Sequence, residues 1–384
     1  MIVFGTRPEV IKLAPVIEEL RKQRAAFTPV VCFTAQHLQM CEPLLRFFSI
    51  RPAHDLNVMT EQQSLMEIAT RTMGRLDKVL ADEKVDMLVV QGDTTSAFAA
   101  ALLAFYRRIP VAHVEAGLRT RDVWNPYPEE MNRQLTGRIA QLHFAPTKRA
   151  AHALAAEGIG DENVYVTGNT VIDALHLTLA KKKWTAIGPA RRSRGGKQLI
   201  LVTAHRRESF GKGISEICAA LLDLVERNET IEIVLPVHPN PAVRIPIERA
   251  LSAHPRIRLS PPLDYMDLIA IMRKSSIVLT DSGGLQEEAP ALGLPVVVMR
   301  DTTERPEIVE AGGAVLAGPH RKRIVAEVER ILENQDVYDS MARVRHPFGD
   351  GRAANRIVRI IDAWFRATSP RDMRALRKKV EFRP

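Results

Sequence analysis

Short runs of β-branched and aliphatic residues recur along this chain. Each is followed by a turn rich in Gly, Ser or Asp, and then by a stretch whose apolar positions return every three or four residues. Bounded apolar runs read as buried strands and the longer period as amphipathic helices. The first half predicts strands at residues 2–4, Thr28–Thr34, Met87–Val90, Val111–Val114, one ending at Phe144, and Val164–Val166. Helices are predicted over about Val10–Lys22, from Leu38 onward, over Gln63–Leu80, after Ser96, and through Asn132 and Arg133. The second half restarts with a strand at Gln198–Thr203 and repeats the alternation. Within it Ile277–Thr280 reads as strand, Asp281–Gly284 as turn and Leu285–Ala291 as helix. Strand and helix alternating throughout argue for an α/β class with doubly wound parallel sheets. The 384 residues suffice for two such Rossmann-like domains, expected to face a central cleft. Between about Ala180 and Lys197 the chain turns basic and glycine-containing, which reads as an exposed connection.

Ligands of such sheets bind beyond the carboxyl ends of the strands. Arg7, Gln36, Asp93 and Glu115 each follow a predicted strand of the first half and are expected in one crevice. In the second half the strand ends carry His205 and Arg206, Pro236–Asn240 with His238, the Ser282 turn, and Asp301–Pro306. A strand, the turn Ser282-Gly283-Gly284 and a helix leave several N–H groups pointing one way, which suits a phosphate. Glu287 and Glu288 stand in the first helical turn, where the dipole favours acids, and one of them could reach a ribose diol. An ordinary strand-to-helix turn is the plainer reading of this stretch. Asp93 could equally be a helix N-cap, Glu129 a first-turn stabiliser, and His238 an ordinary histidine. No Gly-x-Gly-x-x-Gly or Walker A pattern is present, and Gly211-Lys212-Gly213 lacks the third glycine, so neither dinucleotide nor P-loop chemistry is indicated.

Apolar content of 46% and charged content of 26% are those of a soluble globular protein. The net charge of +9 gathers in Lys181–Lys183, Arg191–Lys197 and Arg371–Arg383. Only Trp184 lies among these cations, so they read as solvated surface rather than a nucleic-acid face. An anionic small substrate fits the charge better. The longest apolar run, Ala97–Phe105, is far short of a membrane span. The opening MIVFGTRPE has no basic segment followed by a hydrophobic core, so no signal peptide is read, and the first strand is short enough that the true start is expected upstream. Cys32, Cys41 and Cys218 form no CxxC pair and are expected to be buried thiols in a reducing cytosol.

Nine motifs in order resemble the non-hydrolysing UDP-N-acetylglucosamine 2-epimerases: GTRPE (Gly5–Glu9), TAQH (Thr34–His37), QGDTTS (Gln91–Ser96), HVEAGLRT (His113–Thr120), PYPEEMNR (Pro126–Arg133), TGNTVID (Thr167–Asp173), AHRRES (Ala204–Ser209), TDSGGLQEE (Thr280–Glu288) and RDTTERPE (Arg300–Glu307). The resemblance implies the two-domain GT-B architecture, with residues 1–169 plus 352–384 forming a first domain and 170–351 a second. The last helix would return to the first domain. It further implies reversible conversion of UDP-GlcNAc to UDP-ManNAc by loss of UDP to 2-acetamidoglucal and re-addition, with no redox cofactor or metal. Asp93, Glu115 and Glu129 would serve proton chemistry at sugar C2. Arg7 and His205 would meet the departing diphosphate, with Lys12 nearby. Ser282, Gly283, Gly284, Glu288 and Arg206 would bind substrate. Gln36, His37, Gln39, Gln63, Arg206 and His238 match residues that hold a second UDP-GlcNAc as activator, although this chain has Gln62 where many members have arginine. A cytoplasmic homodimer, serving cell-envelope polysaccharide synthesis and using neither membrane nor nucleic acid, completes the expectation. A hydrolysing epimerase, a diacetamido-uronate epimerase, a GT-B glycosyltransferase and a sugar-nucleotide sensor are the alternatives.

Overall fold

The computed structural model describes residues 1–60, 63–181, 196–206, 209–367, 377 and 380–383. The chain forms two compact units. Unit 1 takes Met1–Leu177 and Phe348–Pro384, and unit 2 takes Thr178–Pro347. Most of the basic stretch around Lys182–Gly195, much of the basic tail, and Gln62, Arg207 and Glu208 lie outside the described residues.

Unit 1 is built on seven parallel strands: β1 (Ile2–Phe4), β2 (Val31–Phe33), β3 (His54–Asp55), β4 (Leu88–Gln91), β5 (Val111–Val114), β6 (Leu142–Ala145) and β7 (Val164–Val166). Their spatial order is β3-β2-β1-β4-β5-β6-β7. Unit 2 repeats the plan with β8 (Gln198–Thr203), β9 (Ile231–Pro236), β10 (Ile257–Ser260), β11 (Ile277–Thr280), β12 (Val296–Val298) and β13 (Ala314–Leu316), ordered β10-β9-β8-β11-β12-β13. Both are doubly wound α/β sheets. Each order reverses once, between β1 and β4 and between β8 and β11, which is where such sheets open a ligand crevice.

Burial on both faces explains the continuous apolar strands. Val3, Leu88, Val90 and Val111 pack under Leu76, Leu80, Ala97, Ala100, Ala101 and Ala104. The alanines of the helix Thr95–Tyr106 bring its backbone close to the sheet. Each fully buried Leu or Val contributes roughly 1.5–3 kcal/mol. Cys32, Cys41 and Cys218 are buried and in no disulfide, and burial pushes the Cys32 and Cys41 thiols up to about 12. Among the described residues no helix is long and apolar enough to cross a membrane.

Several element boundaries differ from the sequence reading, among them β4, which is Leu88–Gln91 where Met87–Val90 was expected. The second strand was expected from Thr28, but β1 offers only Ile2–Phe4, and the paired register runs from Val31 to Phe33. The helix expected from Val10 starts at Arg7, because the Glu9 carboxylate reaches back to the amides of Gly5 and Thr6 at 2.9 and 2.7 Å. The helix expected at Gln63–Leu80 is Leu65–Asp82, capped by Ser64 with Glu67 three residues on. Gln63 therefore precedes it and accepts from the Thr60 amide.

The chain's last portion joins unit 1 through a side chain that is far away in sequence. Asp173, in the helix Thr170–Lys181, accepts from the amides of Ala353 and Ala354 at 3.1 and 2.8 Å. It thereby caps the helix Ala353–Arg366, whose own N-terminal residue Arg352 provides no side-chain cap. Burial, with the nearby charge of Asp350, raises the Asp173 carboxyl from 3.8 to about 6, against the pull of the two amides. Asp173→Ala should lower unfolding free energy by about 1–3 kcal/mol, the cost of a lost cap and unsatisfied amides. The folded chain holds this proton more tightly than the unfolded one, so the contribution of Asp173 to stability is greatest below its ordinary 3.8 and falls as pH rises through about 6. Urea unfolding across that range should show a shallower fall for Asp173→Asn than for the parent chain.

Candidate active-site residues in each unit

At the carboxyl ends of unit 1, β5 runs directly into Glu115, which is buried yet has a left-handed backbone, φ 62°. A non-glycine residue pays for that conformation, on the order of 1–3 kcal/mol. Lys12, Asn169 and Gln91 all hold its carboxylate. Lys12 Nζ lies 2.6 Å from both oxygens, Asn169 donates to Oε1 at 2.8 Å, and the Gln91 amide donates to Oε2. Asp93 follows the adjacent strand β4, and its Oδ2 lies 2.6 Å from Arg133. Burial raises the Asp93 carboxyl and the charge of Glu115 adds to this, while Arg133 and Lys12 oppose it. Asp93 is thus a carboxyl group paired with an arginine, beside a second carboxylate anchored by a lysine. The helix that follows is capped by Thr94, whose hydroxyl accepts from the Ala97 amide, so the N-cap reading of Asp93 does not hold.

The loop after β1 packs against this site with no room to spare. A Cβ on Gly5 would sit 1.8 Å from Thr34 Oγ1. Glu9, wholly buried, also accepts from Thr94 Oγ1 at 2.8 Å, tying this loop to the turn that carries Asp93. Gln36 after β2 is joined to the same turn through Ser96 Oγ at 2.8 Å. Arg7 is half-buried in the first helical turn, His37 and Gln39 are exposed. Glu129 is half-buried at the start of the helix Glu129–Ile139. Its neighbour Glu130 is fully buried and accepts from Thr120 N and Gln134 Nε2.

Unit 2 gathers its groups around Asp281, directly after β11. Asp281 is fully buried and accepts from the amides of His205 and Arg206 at 2.7 and 2.8 Å through Oδ2. Oδ1 lies 3.0 Å from His205 Nδ1. Burial works against the charge, but the His205 ring and the two amides outweigh it and hold the carboxyl below its ordinary range. His238 stacks on His205 with ring centroids 6.1 Å apart. The Ser282 amide is taken by Thr280 Oγ1 at 2.9 Å. A Cβ on Gly283 would lie 3.8 Å from the Arg206 guanidinium, and one on Gly284 3.8 Å from Glu288 Oε2. Of the two first-turn acids, Glu287 is ion-paired with Arg305 and its carbonyl accepts from His346.

Asp93, Glu115, Lys12 and Gln36 thus meet at one end of the first sheet, and His205, Arg206, His238, Ser282 and Glu288 stand on the strand ends of the second. Lys12 is placed on Glu115 itself. Sequence reasoning passed over Asp281, Asn169, Gln91, Arg133 and Glu9. All five lie inside the quoted motifs, and that membership was the one signal available.

A sequence model described as UDP-N-acetylglucosamine 2-epimerase matches residues 18–362. The UDP-N-acetylglucosamine 2-epimerase of Escherichia coli (strain K12) is 47% identical over 370 residues, covering 93% of this chain and 96% of the relative. The crystal structure of UDP-GlcNAc 2-epimerase from Neisseria meningitidis bound to UDP-GlcNAc is similar at a TM-score of 0.86 and 46% identity, covering 94% of this chain and 98% of that one. A putative UDP-N-acetylglucosamine 2-epimerase from Listeria monocytogenes aligns with a TM-score of 0.89 and 46% identity, covering 96% and 97%. The nine motifs, the two parallel sheets and these similarities agree, and the chain belongs to the UDP-N-acetylglucosamine 2-epimerase family.

Proposed function

We propose that this chain is a non-hydrolysing UDP-GlcNAc 2-epimerase, interconverting UDP-GlcNAc and UDP-ManNAc by elimination of UDP across C1–C2 and re-addition. Family membership and the bound UDP-GlcNAc of the Neisseria relative support the substrate. The observation that carries the chemistry is the pair of acids on adjacent strand ends, Asp93 and Glu115, each with its own cation. The C2 proton of the sugar is not acidified by a neighbouring carbonyl. Its removal therefore has to be matched by departure of a stabilised leaving group. One carboxylate takes the C2 proton, the C–H electron pair becomes the C1=C2 bond, and the C1–O bond breaks with its pair leaving on UDP. The product 2-acetamidoglucal then receives a proton at C2 from the opposite face, and UDP returns to C1.

Two carboxyl groups in distinct surroundings suit proton delivery from two faces. Asp93 is assigned the role of the acid, and Glu115 that of the base. Lys12 compensates Glu115 and, in this reading, acts on the diphosphate only at second hand. Arg7 and His205, the latter with Nδ1 3.0 Å from Asp281 Oδ1, meet the diphosphate. Glu129 is kept as a third acid beside C2. Ser282, the Gly283 and Gly284 amides and Arg206 hold phosphate, and Glu288 the ribose. Gln36, His37, Gln39, Gln63 and His238 are assigned to a second UDP-GlcNAc. A homodimeric, cytoplasmic enzyme belongs to the same reading.

Turnover in D₂O should leave deuterium at C2 of the product, read by mass spectrometry. Asp93→Asn or Glu115→Gln should each lower kcat by at least about a hundredfold, and near-normal rates in both would remove these residues from the chemistry. Glu288→Gln and Ser282→Ala should each weaken UDP by roughly 1–3 kcal/mol, measured by calorimetry with UDP alone. Unchanged affinity in both would move the nucleotide to another turn. For the activator, Gln62 in place of a cation should cost about 1.5–3 kcal/mol of affinity. A progress curve from pure UDP-ManNAc should start slowly and be accelerated only by high concentrations of UDP-GlcNAc, whereas full speed from the first seconds would mean no activator requirement.

A further inference from the structure

His113 sits in β5, wholly buried, with His143 of β6 beside it in register and buried as well. A central parallel strand is normally filled by valine or isoleucine, and an imidazole there has to be matched by a hydrogen bond. His113 has one: Nε2 lies 2.7 Å from the Gly92 carbonyl. A carbonyl only accepts, so Nε2 bears the proton, and the ring is a neutral donor with a bare Nδ1. Burial above all pushes its pKa down to about 3, far from any pH at which the enzyme would work.

Gly92 is the residue between β4 and Asp93, in a left-handed conformation, φ 69°. Its amide donates to the Val114 carbonyl at 3.0 Å. Both polar groups of Gly92 are thus held by β5, through residues 113 and 114, and the next residue of β5 is Glu115. Asn132 Nδ2 adds a third tie, 3.0 Å to the Asp93 carbonyl. Gly92 also backs directly on Glu115, whose Oε2 is 3.7 Å from the position a Cβ would take.

We infer that His113 is a positioning residue that pins the Gly92–Asp93 turn to β5 and so sets where the Asp93 carboxylate stands relative to Glu115. The inference rests on the two-acid chemistry proposed above. A purely space-filling His113 would be replaceable by an apolar ring of similar size, whereas a donor would not.

The test compares His113→Phe, which fills the space without a donor, with His113→Gln, which restores an N–H near the Nε2 position. With UDP-GlcNAc as substrate, His113→Phe should lose about a hundredfold in kcat, the scale of a small misplacement of a reacting group, while KM stays within about twofold. His113→Gln should recover most of the rate with the pH–rate profile of the parent chain. Hydrogen exchange of the peptide spanning Gly92–Thr94 should be faster in His113→Phe than in the parent, a readout that does not depend on turnover. If His113→Phe does not fold, His113→Val is read in its place. Parent-level kcat without the donor, equal impairment of the Phe and Gln variants, or unchanged exchange at Gly92–Thr94 would each overturn the inference. Loss of the acid limb of the profile in His113→Gln would instead make His113 a titrating group and overturn it too. A parent chain with no turnover at all would fail the epimerase reading itself, and the exchange measurement would still decide whether His113 holds the turn.

Discussion

Everything at the carboxyl end of the first sheet depends on the burial of one carboxylate. An isolated buried charge costs several kcal/mol or more, and it persists only where partners replace the water it has lost. Glu115 has Lys12 from the first helix, Gln91 from the end of β4 and Asn169 from beyond β7. Those partners come from segments separated by up to 157 residues, the span from Lys12 to Asn169. The fold is therefore a condition of the charge. Strand order supplies the partners: β1 and β4 are neighbours, β5 lies next to β4, and each strand end adds one polar group to the same place.

The second unit solves the same problem differently. Asp281 is fully buried, but two consecutive backbone amides after β8, the strand beside β11, donate to one of its oxygens, and the His205 ring lies 3.0 Å from the other. Backbone donors cannot be lost by side-chain rotation, so Asp281 is a rigid support for His205 rather than a group poised to move a proton. The opposite directions of the carboxyl shifts fit this division. Asp93 is raised, with burial leading, and Asp281 is lowered, with hydrogen bonds outweighing burial. Two acids at the switch points of two similar sheets thus differ in chemistry because their nearest donors differ.

Much of this was legible in the chain as written. Alternating apolar strands and amphipathic helices specify parallel α/β sheets, because a strand buried on both faces must be apolar throughout while its covering helix needs only one apolar face. Polar residues directly after apolar runs mark strand ends, and on that ground Asp93, Glu115, His205 and Ser282 could be named in advance. The boundary at Leu285 followed from turn chemistry, which acts within a few residues. The start of β2 did not: Pro29 cannot donate to a ladder, and the register with β1 begins only at Val31.

Partnership is what the sequence by itself left open. It determined which residues are polar at strand ends, because that is a matter of local pattern. Only the tertiary structure decided that Lys12 belongs to Glu115, that Thr94 rather than Asp93 caps the helix, that Glu287 is committed to Arg305 and that Asp173 caps a helix 180 residues away. A carboxylate's chemistry depends on what lies within about 3 Å of it, and at that range the neighbours are set by strand order and helix packing. Residue spacing along the chain carries no record of them.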